Sequence, residues 1–140
     1  MDMVGRGEFY ENSGNGRPHL QVIGSRRLST QLGDIVDSVN AAMPQPLGID
    51  YSFDAPRHPL NRYCRSDHWN YARFGIPIAF ISLGYGSDYH QLTDEPQYIR
   101  YDHSALVGRL LYDASVAVAN REQRLVVDKP KPDPRGICRQ

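Results

Sequence analysis

The sequence predicts an α/β layer architecture with a mainly parallel sheet flanked by helices. Three observations carry this expectation. Two apolar runs of strand length, residues 19–23 and 77–83, are closed by Gly24 and Gly84. Two longer segments, one from Arg26 and one from Asp102 or Ser104, repeat apolar residues at three- and four-residue steps, the spacing of one helix face. The two kinds of segment alternate along the chain, as they do where helices cross between parallel strands.

Taken in order, residues 1–18 gather glycines among polar side chains and read as an irregular loop carrying Asp2. The strand at 19–23 leads into a helix over 26–43, with Leu28, Leu32, Ile35, Val36, Val39 and Met43 on one face. Pro44 and Pro46 close it, since proline cannot continue the hydrogen-bond ladder. Residues 47–53 alternate partially and suggest a second strand, and the stretch 54–61, with Pro56 and Pro59, reads as a loop. Ser66 is placed to cap a short helix that runs through Ala72 and stops at Gly75. Residues 77–83 give the clearest strand. The last helix places Val107, Leu110, Leu111, Ala114, Ala117 and Val118 together, a face expected to pack on the sheet. From Gln123 onward the composition shifts to KPKPDP, so residues 122–140 are expected to form an extended, Pro-rich tail that buries little beyond a folded part at 1–121.

The 140 residues, 40% hydrophobic and 23% charged, fit one globular domain with its own core. Sixteen basic and sixteen acidic residues cancel, which argues against nucleic acid or an anionic membrane as a partner. No apolar stretch approaches the ~20 residues that span a bilayer, and the N-terminus lacks the apolar segment of a secretory signal. Cys64 and Cys138 are too few for a disulfide framework or a cysteine-rich zinc knuckle, and whether they pair is left open, as is the compartment.

Three stretches could carry chemistry. In DYHQLTDE, His90 follows the clearest strand, and Tyr89 beside it offers a phenolic donor for a developing oxyanion. The alternative is a loop histidine bonded to backbone, with Thr93, Asp94 and Pro96 serving turn chemistry. Asp2, in MDMVGRG, is a distant carboxylate that reads either as solvated surface or as the end of a strand turning sharply into a loop. A loop histidine after a buried strand, joined by a remote carboxylate, is how an open catalytic zinc site is assembled. In RSDHW, Arg65, Asp67 and His68 gather at a helix start, where anions bind well. Equally, Ser66 serves as the cap, Asp67 favours the helix dipole, and His68 and Trp69 pack inward.

Together RSDHW, FGIPIAFISLG, DYHQLTDEPQYI, YDHSALV and the opening DMVGRG resemble the carboxyl-terminal part of the co-catalytic di-zinc aminopeptidases, metallopeptidase family twenty-eight, to about Arg121. The resemblance implies the C-terminal portion of a zinc-exopeptidase-like fold and hydrolysis of N-terminal peptide bonds with two zinc ions. It implies that Asp2 is a ligand to one zinc and His90 to the other, that Tyr89 stabilises the tetrahedral intermediate, and that Arg65 lies near substrate. Ser66, Asp67, His68 and Asp94 are then supporting residues around the site.

The family pattern also needs an upstream histidine, a bridging aspartate and paired glutamates, and none has a counterpart here. A catalytic zinc takes roughly three protein ligands, so one residue per ion leaves zinc poorly held and this piece inactive alone. Glutaminyl cyclases and carboxypeptidase-like relatives share the architecture, and a non-catalytic interaction domain of the same fold is a further alternative. An incomplete parallel sheet would expose an edge, predicting a homo-oligomer, unless the glycines of residues 1–16 let that segment fold back over it.

Overall fold

The computed structural model describes residues 1–6 and 18–140; the glycine-rich loop expected at 1–18, and its folding back over the sheet, fall mainly on residues outside those described. Three strands and three helices follow in the order β1 (His19–Ile23), α1 (Thr30–Ala42), β2 (Gly48–Asp50), α2 (His68–Ala72), β3 (Phe80–Ser82) and α3 (Tyr101–Ala119). The sheet order is β2-β1-β3.

The sheet is mixed, which corrects the expectation of mainly parallel strands. β1 pairs β2 in parallel, Leu20 opposite Ile49, but pairs β3 antiparallel, Val22 opposite Ile81. A parallel pair needs a crossover, and α1 supplies one between β1 and β2. Between β2 and β3 the chain forms only short 3-10 turns at Ser52–Asp54 and Arg62–Cys64 and the brief α2 before it re-enters the sheet in the opposite sense.

Element boundaries differ from the sequence reading for local reasons. α1 begins at Thr30 rather than near Arg26, because Gly24 turns the chain (φ +83°) and Arg27 N–H closes that turn on the Gly24 carbonyl. Ser29 Oγ then caps the helix by accepting from Leu32 N–H at 3.2 Å. β2 stops at Asp50, whose carboxylate accepts from Ser52 N–H at 2.7 Å and bends the chain into the Ser52–Asp54 turn. β3 covers only Phe80–Ser82, the residues that find partners on β1.

One face of the sheet, bearing Leu20, Val22, Ile81 and Leu83, packs on Val36 and Met43 from the first helical segment and on Val107 and Leu110 of α3. This is the core foreseen from the helical periodicities. Buried Asn40 belongs to it because its amide accepts from Leu47 N–H and donates to the Leu47 carbonyl, both at 2.9 Å, which offsets the cost of burying a polar group. The opposite face collects Ile23, Leu28, Tyr63, Ala72 and Phe80 in a second cluster.

The C-terminal tail is extended and mostly exposed, and it meets that second cluster at a few points. Val127 and Cys138 pack against it, and Cys138 forms a disulfide with Cys64. Gln140 is buried; its side chain accepts from Tyr63 N–H at 3.0 Å and donates to the carbonyls of Phe53 and Ala55. Lys129 N–H donates to the Leu28 carbonyl and Asp128 accepts from Thr30 N–H, so the strap is tied along its length. Among the described residues, no helix is long and apolar enough to cross a membrane.

Candidate functional site

Residues 2–3 run beside β3. Asp2 N–H donates to the Ile81 carbonyl at 3.0 Å and Leu83 N–H to the Met3 carbonyl at 3.1 Å, with both numberings rising together. The strip is gripped from its other side by Ser104, whose hydroxyl donates to the Val4 carbonyl, and by Arg100 N–H on the Gly5 carbonyl. Two groups of candidate residues therefore meet the two ends of one short segment.

At its start, Asp2 accepts a hydrogen bond from Ser66 Oγ at 3.2 Å. This corrects the reading of Ser66 as a helix cap: α2 has no side-chain cap, and the hydroxyl is used on Asp2 instead. Asp2, Ser66, Asp67 and His68 border an open cavity of about 340 Å³ floored by Ala79 and Phe80. His68 stacks on Phe80 with ring centroids 4.2 Å apart, and its Nε2–H donates to the Tyr63 carbonyl at 2.8 Å. Burial pushes its pKa below the ordinary value, against the opposing effect of that bond. Trp69 packs inward against the second cluster. Arg65 is exposed, with its guanidinium 5.8 Å from the Tyr85 ring centroid.

At the strip's far end lies the 84–95 loop. Tyr89 and His90 are exposed at its tip, stacked with centroids 3.9 Å apart, and Tyr89 also meets Tyr85 edge-on. His90 adopts a left-handed backbone conformation (φ +59°), sparsely populated for a residue with a Cβ. Consecutive turns, Tyr89 N–H to Gly86 O, Gln91 N–H to Asp88 O and Asp94 N–H to Gln91 O, set that shape. Asp94, exposed, borders a cavity of about 200 Å³ together with Met3, Gly5, Arg6, Tyr89 and Ile99.

The structure adds residues to which the sequence reading gave no role. Arg6 forms an ion pair with Asp88 and approaches Asp94 at 3.9 Å. A hydrogen bond from Thr93, with the Arg6 charge nearby, holds the Asp88 carboxyl below the usual carboxylate range. Arg62 is buried, donates to Gln21 Oε1, and lies over the rings of Phe53 and Tyr85. These depend on long-range proximity, and only the sequence adjacency of Asp88 to Tyr89 hinted at any of them.

No hydrogen bond or ion pair joins Asp2 to His90 among the described residues. Nor do these residues contain a group of three or more His, Cys, Asp or Glu side chains able to hold a metal ion. Asp2 with Ser66, and His90 with Tyr89, each offer one ligand where a catalytic zinc takes roughly three. The residues described do not fit zinc as a self-sufficient centre.

A family model described as Peptidase family M28 matches residues 1–115, and the chain belongs to that family. Comparison with curated proteins produced no match, and neither did comparison with solved structures. Membership makes the chain a peptidase-related protein of the hydrolase class, in a family that is generally zinc-dependent.

Proposed function

Proceeding from membership of peptidase family M28, we propose that this chain supplies one side of a zinc-dependent aminopeptidase centre and hydrolyses no peptide by itself. The observation behind this reading is the path of residues 2–6: Asp2 meets Ser66 at one end, and Arg6 meets the loop of Tyr89 and His90 at the other. One strip of backbone thus borders RSDH and DYHQLTDE alike. Asp2 and His90 each offer a ligand to a separate ion, Tyr89 offers its phenol to the tetrahedral intermediate, and Arg65 stands beside the substrate. Asp67, His68 and Asp94 shape the surrounding walls. The remaining ligands and the general base come from residues outside these positions.

Elemental analysis of the dialysed 140-residue protein should therefore find less than one zinc per chain, and an aminoacyl anilide should not be turned over. Two tightly held zinc ions, with turnover that disappears in Tyr89→Phe, would overturn the inactivity. In a polypeptide carrying the remaining ligands, Tyr89→Phe should lower kcat by about 10²–10³-fold, the usual effect of deleting one oxyanion donor.

The same reading bears on association. Among the described residues β2 pairs with β1 alone and lies at one side of the sheet, and an edge of that kind offers unpaired backbone groups to another chain. Homo-oligomers are the expected species in size-exclusion chromatography with light scattering. A monodisperse monomer at high concentration would contradict that.

A further inference from the structure

We propose that Arg6 is a positioning residue that clamps the Tyr89–His90 loop to the Asp2 strip through its ion pair with Asp88. Among the described residues, every backbone hydrogen bond of residues 86–94 is local, linking residues three apart. Such turns shape a loop without attaching it to anything, so side chains must fix where its tip stands. Asp88 is the residue built for that attachment. One carboxylate oxygen accepts from Thr93 Oγ1, which closes the loop on itself, and the other meets Arg6.

Arg6 is well placed to hold the far side. Its side chain is only 14% exposed, its guanidinium lies 4.5 Å from the centroid of the Tyr98 ring, and the second carboxylate, Asp94, stands 3.9 Å away. The backbone preceding it is held, because Asp2 is bonded to Ile81 of β3, Met3 to Leu83, Val4 to Ser104 and Gly5 to Arg100. A planar guanidinium can serve both carboxylates and the aromatic face at once, which a lysine ammonium cannot. Arg6 therefore transmits the position of a strip anchored on β3 and α3 to a loop whose backbone hydrogen bonds, among the described residues, are all its own turns. Tyr89 and His90 are the residues directly following Asp88, so fixing Asp88 fixes them.

The inference deepens the peptidase reading, because it assigns the placement of Tyr89 and His90 to a residue four positions after Asp2. Its test reads motion rather than hydrolysis. Native-state hydrogen exchange of the 140-residue chain should show the amides of residues 88–94 exchanging about fivefold faster in Arg6→Ala and in Asp88→Arg. The amides of β1 and α1 should be unchanged. The charge-swapped pair, Arg6→Asp with Asp88→Arg, should return the loop to within about twofold of the parent, as an ion pair rebuilt in reverse would. Unchanged loop exchange in the single variants would overturn the clamp. So would uniform acceleration across the chain, or a swap that rescues nothing, since either would mark Arg6 as a general packing residue. None of these results touches the peptidase reading, which stands or falls on the anilide assay.

Discussion

Reducing the Cys64–Cys138 disulfide, or replacing either cysteine with serine, is expected to destabilise the protein by about 4 kcal/mol. The bridge spans 74 residues of sequence, and closing so long a loop removes much of the unfolded chain's freedom, an effect of about 2–5 kcal/mol that grows with loop length. The folded state loses as well. Cys138 packs against the second cluster, and two residues on, Gln140 supplies hydrogen bonds to Phe53, Ala55 and Tyr63. Net stabilities of single domains are about 5–15 kcal/mol, so the reduced protein should be only marginally folded. Urea unfolding with and without reductant, followed by tryptophan fluorescence, measures this. Trp69 packs on the same cluster and reports its loss. Coincident unfolding curves in the two conditions would show that the tail is held by its hydrogen bonds and packing alone.

Gly24→Ala is expected to cost about 3 kcal/mol, with the loss concentrated where the second cluster meets β1. Gly24 has φ +83°, a conformation that costs an L-residue roughly 1–2 kcal/mol. A Cβ there would stand 2.5 Å from Ile78 Cδ1 and 2.8 Å from the Tyr63 ring, so both must shift in a packed interior, which costs about 1–3 kcal/mol more. Tyr63 can yield little. Its ring also lies beneath the Arg27 guanidinium at 4.6 Å and meets Trp69 edge-on at 5.7 Å. Gly108 makes the contrast, since a Cβ there meets nothing within 4 Å. Thermal unfolding of Gly24→Ala measures the effect. A loss below about 1 kcal/mol would mean that Ile78 and Tyr63 move freely and that the second cluster is looser than its burial suggests.

Much of the fold was readable because its causes are local. Leu32, Val36 and Met43 recur at helical spacing, as do Val107, Leu110 and Ala114, and all are buried, whereas Leu28, read on the same helical face, precedes α1 and enters the second cluster. The closing glycine of the first strand is where the chain turns. What the sequence misplaced were ends and directions. The start of α1 moved to the Ser29 cap, and the second strand shortened where Asp50 captured Ser52 N–H. The antiparallel sense of β3 follows from how the chain returns after α2, and no property of FIS as a triplet encodes it.

The motifs in the candidate site divide in the same way. DYHQLTDE and RSDHW could be singled out because histidine, tyrosine and carboxylates crowd into a few residues, and their placement after apolar runs marks them as loops or helix starts. That Ser66 would turn to Asp2 across 64 positions of sequence could not be read, since local rules favour the nearer role of cap. The pairing of Arg6 with Asp88 was equally hidden, as was the approach of the Arg62 guanidinium to the rings of Phe53 and Tyr85.

By itself, then, the amino-acid order determined which segments become helices, which apolar faces enter the core, and the family to which the chain belongs. Periodicity, glycine turns and short motifs act over a few residues and need no partner to be recognised. The tertiary structure alone decided the sense of β3, the anchoring of the tail through Cys138 and Gln140, and the setting of residues 2–6 between two loops. Each of these joins groups far apart in the chain, and such contacts form only once burial of both sheet faces has brought the distant segments within reach.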